Sequence, residues 1–303
     1  MIEILQNRTW ALETKFFNQM APIVMHRLSM GKGIADLIDR PEPAAYRDYD
    51  PSEVIQVDTN MFFSGKDGYF FKTSEEDKII TATKIQGTIT KNGGMCSDGT
   101  AMIKEKLLMK DANKNVSAHI LLIDSPGGAV DGTPEIASVI KSLTKPVVAY
   151  VDHMAASAAY WIASQTSHIV ANKNNYTEVG SIGTLAMMMN EREYLKKEGI
   201  KVQIMRADKS VDKARLNSIE EWPEASLEEL QNDLNAINSD FINAVLSGRN
   251  GKLNTLTEDI FTGKMYDKKK ALRLGMIDQI GTLQDAIRAA ELISKNRFSP
   301  IFN

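Results

Sequence analysis

The segment Met154-Ala155-Ala156-Ser157-Ala158-Ala159-Tyr160 sets one hydroxyl among small apolar residues, directly after the apolar run Pro146–Val151. Earlier in the chain, the apolar run His119–Ile123 closes on Asp124-Ser125-Pro126-Gly127-Gly128. These read as two strand ends. One presents a nucleophile and the other a cradle of backbone N–H groups, which is the equipment for acyl transfer through a serine. Taken alone, either segment could be a tight turn, since Gly and Ser are common there. The pairing of the two points to chemistry.

A serine nucleophile must stand at a turn that a carbonyl can approach. Ala155, Ala156, Ala158 and Ala159 keep bulk away and favour a helix beginning at Ser157. The first turn of that helix leaves N–H groups unpaired, and its dipole favours developing negative charge. Gly127 and Gly128 permit backbone conformations and close approaches that other residues block.

Composition narrows the alternatives. The chain has 303 residues, 43% apolar and 25% charged, as expected for a globular protein. A net charge of −3 offers no basic surface for nucleic acid. The single cysteine, Cys96, excludes an intramolecular disulfide and a cysteine-based zinc site, and it fits a reducing compartment. Neither a P-loop nor a Gly-x-Gly-x-x-Gly run is present, and no cofactor or metal is expected. Glu3, Arg8, Glu13 and Lys15 interrupt any apolar signal-peptide core. No run reaches the ~18 apolar residues of a membrane span, so a cytoplasmic protein without a membrane partner is expected.

The elements that position the site follow a strand–helix–strand rhythm from Ile79 onward, which predicts an α/β core with right-handed crossovers. Strands are expected at 79–89, 119–123, 147–151, 169–171 and 202–205. Helices are expected at 100–109, 134–143, 158–164, 189–199, 271–274 and 283–292. A long amphipathic helix over 226–247 would start at a capping box of Ser226 and Glu229. Gly65-Lys66-Asp67-Gly68 predicts a turn between short strands. Apolar residues at helical spacing over 1–39 predict a helical arm, followed by a Pro-containing linker to residue 57.

Four blocks resemble the signal peptide peptidase A family of serine proteases, within the Clp protease/crotonase fold group. They are Ser125-Pro126-Gly127-Gly128; Ala155-Ala156-Ser157 with Tyr160; Gly180-Ser181-Ile182-Gly183; and Phe261-Thr262-Gly263-Lys264-Met265-Tyr266 followed by Leu274-Gly275-Met276-Ile277-Asp278. They run in family order across residues 80–291, and the flavour is that of the phage and prophage branch of prohead proteases. The resemblance implies a Clp protease/crotonase-like repeated β-β-α superhelix over 58–291, after an N-terminal helical arm and linker (1–57) and before a C-terminal tail (292–303). It also implies a homo-oligomer acting on protein or peptide substrates.

The base is the open choice. His153 precedes Ser157 but falls on the strand-to-turn side; His119 and His26 are more simply structural, and His168 sits at a helix–strand junction. Clp-type proteases carry their histidine after the serine, where this chain has Gly180-Ser181-Ile182-Gly183. The resemblance implies a Ser-Lys dyad instead, since a buried lysine can be neutral and accept the serine proton. The family register falls on Val211, so Lys213 is the first choice after a short insertion, and Lys209 the alternative after a short deletion.

In the expected mechanism Ser157 attacks a peptide carbonyl, and the oxyanion rests on N–H groups of Gly127 or Gly128 and of Ala158. Ala129 and Ala156 suggest a substrate strand along the Gly127-Gly128 edge, with Ser181 beside it. The expected role is maturation of phage capsid or scaffold proteins, in the host cytoplasm or the prohead. The alternatives are a soluble housekeeping peptidase and a non-catalytic scaffold of the same fold. The arm over 1–57 would serve assembly or self-processing.

Overall fold

The computed structural model describes residues 10–12, 54–58, 61–64, 68–75, 77–93 and 98–298. Strand β1 (Trp10–Leu12) precedes β2 (Val54–Asp58), β3 (Met61–Ser64) and β4 (Gly68–Lys72). Then β5 (Ile79–Gln86) leads through helix α1 (Thr100–Ala112) to β6 (Val116–Ser125) and the short β7 (Gly127–Ala129). Next come α2 (Thr133–Ser142), β8 (Val147–Ala156), α3 (Ala158–Ser164), β9 (His168–Asn172) and β10 (Glu178–Gly180). After α4 (Arg192–Lys197) come the long α5 (Glu224–Gly248), β11 (Met265–Asp267), α6 (Lys268–Arg273), β12 (Gln279–Gly281) and α7 (Leu283–Phe298).

Strands β5, β6, β8 and β9 lie parallel in one twisted sheet. Their near-continuous apolar runs are buried on both faces, as a parallel sheet requires. One face packs Ile103 and Leu107 of α1 and Ile136 and Ile140 of α2 against α3 and α5. The other packs Ile80, Ile120, Val148 and Val170 against Ala286, Ile287 and Ala290 of α7. On one side β2, β3, β4 and β5 form an antiparallel meander.

The sheet forks at β8, and the fork makes the site. Ile123 pairs with Val151, but Ser125 pairs with Ala155, so Asp152, His153 and Met154 stand opposite Asp124 alone. This irregularity sends Val148–Val151 to pair with β9 and Met154–Ala156 to pair with β10. The C-terminal tips of β6 and β8 therefore end side by side.

Several expectations change. Residues 10–12, expected in a helix, form strand β1; the rest of the 1–39 helix lies outside the described residues. Strand β2 crosses the expected boundary at residue 57 and pairs with β3, so it belongs to the sheet. Helix α7 continues to Phe298, past the expected start of the tail. Helix α5 begins at Glu224 after Pro223, which leaves Ser226 inside the first turn, buried and without a hydrogen-bond partner for its hydroxyl; no capping box forms. Residues 202–205 do not form a strand and pair with no described strand, and Val202 and Met205 are exposed.

Candidate active site

Ser157 follows the last residue of β8 with φ 54° and ψ −120°. That is the conformation of the first central residue of a type II′ turn, normally a glycine. Holding a serine there costs about 1–3 kcal/mol, and such strain collects at functional sites. Its backbone is fully engaged: the N–H donates to the Gly180 carbonyl at 2.7 Å, and the carbonyl accepts from Trp161 N–H at 2.9 Å. The hydroxyl is held only loosely, by the Gly183 carbonyl at 3.5 Å, and the residue is fully buried.

Every residue of α3 is buried. The helix is fixed from two directions. The Trp161 ring stacks on Phe241 of α5 at 4.5 Å between centroids, and the Tyr160 hydroxyl donates to the Met276 carbonyl at 2.9 Å. Burial pushes the Tyr160 phenol well above its usual range, so it remains a donor. Ala158 opens α3, and its N–H has no acceptor within the helix.

Facing this helix, Gly127 has φ 92°, and its N–H donates to Ser125 Oγ at 3.2 Å. Ser125 Oγ in turn donates to the Gly87 carbonyl at 2.6 Å. On one side of β7, Ile89 takes both available groups: its N–H donates to the Gly127 carbonyl, and its carbonyl accepts from Ala129 N–H, each at 2.8 Å. A Cβ on Gly128 would lie 2.0 Å from the Ile89 carbonyl oxygen, so only glycine fits there. Backbone groups alternate along a strand, so those of Gly128 face the opposite side. There β1 pairs antiparallel, with Trp10 opposite Ala129, Ala11 opposite Gly128 and Leu12 opposite Gly127.

The Gly180–Gly183 loop completes the enclosure. Gly180 is paired with Ala156, and Ser181 holds φ 53° with its N–H donating to the Lys264 carbonyl at 2.7 Å. Strand β11 pairs with β10, and Gly263 N–H donates to the Ile182 carbonyl. The Phe261–Tyr266 block is thus a brace for the loop beside Ser157. The sequence named both blocks as family features, but it gave no sign that they touch, or that the Gly183 carbonyl holds the hydroxyl.

The fold gathers Ser157, Ala158, Ala156, Gly127, Gly128, Ala129 and Ser181 at one end of the sheet. It does not bring either candidate lysine into a hydrogen bond with Ser157. Lys209 and Lys213 are both exposed, on a loop whose Lys213 carbonyl accepts from Arg206 Nε at 2.6 Å. The histidines are engaged elsewhere. His153 Nδ1 lies 2.7 Å from the Tyr176 carbonyl, and His168 Nε2 lies 3.2 Å from Gln279 Oε1. His119 is buried between Thr81, at 2.7 Å, and Asp111, at 3.1 Å. Burial pulls it down to about 4 against the opposing pull of Asp111. His26 and Cys96 lie outside the described residues.

Among the described residues, no group of three or more His, Cys, Asp or Glu is placed to hold a metal. No described helix is long and apolar enough to cross a membrane. The sequence model of Peptidase family S49 matches residues 140–296, and that of Clp protease matches residues 73–171. The chain belongs to peptidase family S49. A provisionally named protease of Synechocystis sp. is 32% identical over 222 residues, covering 71% of this chain and 74% of that protein. A provisionally named protease of Methanocaldococcus jannaschii is 32% identical over 191 residues, 62% of this chain and 60% of its own length. A provisionally named signal peptide peptidase SppA of Enterococcus faecium is 28% identical over 242 residues, 75% of this chain and 68% of its own. By family the S49 chain is a serine peptidase, and its fold is a mixed α/β sheet whose first part matches the Clp protease model.

Proposed function

We propose that this S49 chain is an endopeptidase in which Ser157 is the nucleophile of a Ser-Lys dyad. The observation that carries the reading is the strained backbone of Ser157 at the junction of β8 and α3, with its hydroxyl almost unheld. Ser157 Oγ attacks the carbonyl carbon of a peptide bond while its proton passes to a neutral lysine amine. The oxyanion is held by N–H groups of Gly127 or Gly128 and of Ala158. Gly127 serves once its N–H turns away from Ser125 Oγ, while the Gly128 groups face the strand-pairing side. Collapse of the intermediate breaks the C–N bond, and the lysine returns the proton to the leaving amine. Water, deprotonated by the same lysine, then releases the acyl group from Ser157.

Lys213 remains the first choice for the base and Lys209 the alternative. The loop that carries them has to close over Ser157, either from within the chain or from a second copy. Exposed Ile200, Val202, Met205 and Val211 beside these lysines favour a loop that becomes buried on assembly. Processing of phage capsid or scaffold protein is the narrower role that the prohead-type resemblance suggests.

The test is labelling with a serine-reactive fluorophosphonate, read by peptide mass, on wild type, Ser157→Ala, Lys213→Ala and Lys209→Ala. Labelling of Ser157 that disappears in one lysine variant supports the dyad and selects its base. Assembled wild type that takes no label overturns the reading in favour of a scaffold of the same fold.

A further inference from the structure

We infer that the segment Trp10–Leu12 is a built-in occupant of the strand position that a peptide substrate takes at this site. The inference rests on reading Ser157 as a peptidase nucleophile, and it is argued from backbone pairing alone. Strand β7 has one side closed by Ile89, which uses the Gly127 carbonyl and the Ala129 N–H. Its other side offers the N–H and carbonyl of Gly128, and these are the groups that β1 covers, with Ala11 directly opposite. Since Gly128 alone faces β1, the Ala11–Gly128 pair is the one that exchanges hydrogen bonds, while the amides of Trp10 and Leu12 point away.

Direction is the second argument. Strand β1 runs from opposite Ala129 to opposite Gly127, so its carboxyl end heads toward the tip of β6. That tip lies beside the tip of β8, where Ser125 pairs with Ala155, and Ser157 follows. A substrate must enter the same way, with the residues before its scissile bond paired to the edge and the reacting carbonyl carried toward the serine. The segment thus has both the place and the polarity of a substrate's acyl side.

The third argument is closure. Gly127, Gly128 and Ala129 are all buried, as is Ser157, and the Gly127 amide is turned onto Ser125 Oγ. In this arrangement no peptide can add to the Gly128 edge until β1 leaves. Release of residues 10–12 is therefore the step that opens the site to an extended peptide.

The test uses the full chain in a Ser157→Ala background, so that it does not depend on catalysis. The probe is a fluorescein-labelled peptide spanning residues 7–15 of this chain. Its affinity is read by anisotropy, and amide exchange is followed over the β7 peptide. Adding Ala11→Pro removes the amide that bonds to Gly128. Exchange at Gly128 should rise and the probe should bind at least 10-fold tighter. Trp10→Pro removes an amide that points away, and should leave both near the parent values. Equal Gly128 exchange with and without Ala11→Pro overturns the inference, as does unchanged probe affinity. Failure of the peptidase reading would appear separately, as absent fluorophosphonate labelling, and would leave these two readouts unaltered.

Discussion

The Ser157 amide donates to the Gly180 carbonyl at 2.7 Å, so the turn that carries Ser157 hangs on the Gly180–Gly183 loop. Gly180 has φ 128°, and a Cβ there would lie 2.5 Å from the Lys264 carbonyl oxygen. Gly180→Ala should push this loop off its brace and move the Ser157 turn with it. Displacement of a reacting group by about 1 Å can cost ~100-fold in rate. The rate of fluorophosphonate labelling at Ser157 should fall by about that factor in Gly180→Ala, with the chain still folded by circular dichroism. Labelling at the wild-type rate would show that the loop does not position the serine.

Much of this site was legible because its signals are local. The apolar run before Ser157 and the alanines after it fix a strand end and a helix start, and α3 spans 158–164 as expected. Gly127 and Gly128 announced an unusual backbone. What could not be read was long-range. The pairing of Met265–Asp267 with Glu178–Gly180 and that of Trp10–Leu12 with β7 join distant segments, and no periodicity reports them. Trp10–Leu12 has an apolar pattern that fits a helix face, yet the free edge of Gly128 makes a strand of it. Ser226 carries a capping signal, but Pro223 starts the helix earlier, since a fixed φ and a missing N–H suit a helix entrance.

The strain at Ser157 predicts that glycine is the better residue for stability at that turn. Glycine occupies φ 54°, ψ −120° without the Cβ penalty, whereas alanine keeps it. In urea unfolding, Ser157→Gly should be more stable than Ser157→Ala by about 1 kcal/mol, within the 1–3 kcal/mol range for such strain after the entropy of the unfolded glycine is subtracted. Both variants should fail to label. A less stable Ser157→Gly would mean that the turn is not strained.

The stack of Trp161 on Phe241 ties α3 to the long α5. Phe241 is fully buried, and Phe241→Ala should cost about 3–5 kcal/mol by leaving a cavity under the helix that starts at Ser157. Phe241→Leu should cost less, because it fills part of the space. Chemical denaturation should rank them wild type, Phe241→Leu, Phe241→Ala. Equal midpoints for the three would remove α5 from the support of the site.

Buried His119 and partly buried Asp278 should give the fold two separate acid steps. His119 is pulled from 6.5 to about 4, chiefly by burial, with Lys145 and Lys110 adding to the effect and Asp111 opposing it. Between those values the unfolded chain binds the proton and the folded chain does not, so stability falls as pH drops from 6.5 to 4, by about 3 kcal/mol in all. Burial alone would raise Asp278, but hydrogen bonds and charge from Arg249, together with Lys252 and the Ile169 N–H, bring it down to about 2. Its contribution is present above 3.8 and lost as pH falls to 2, a further ~2 kcal/mol. Arg249 is itself buried and bonds Asp278 at 2.7 and 3.1 Å, so Asp278→Asn should destabilise by about 3–5 kcal/mol at pH 7. The check is urea unfolding from pH 7 to 2.5. His119→Gln should flatten the upper step and leave the lower, and Asp278→Asn should do the reverse. A wild-type profile without slope between pH 6.5 and 4 would show that His119 takes up its proton in the folded chain as readily as in the unfolded one.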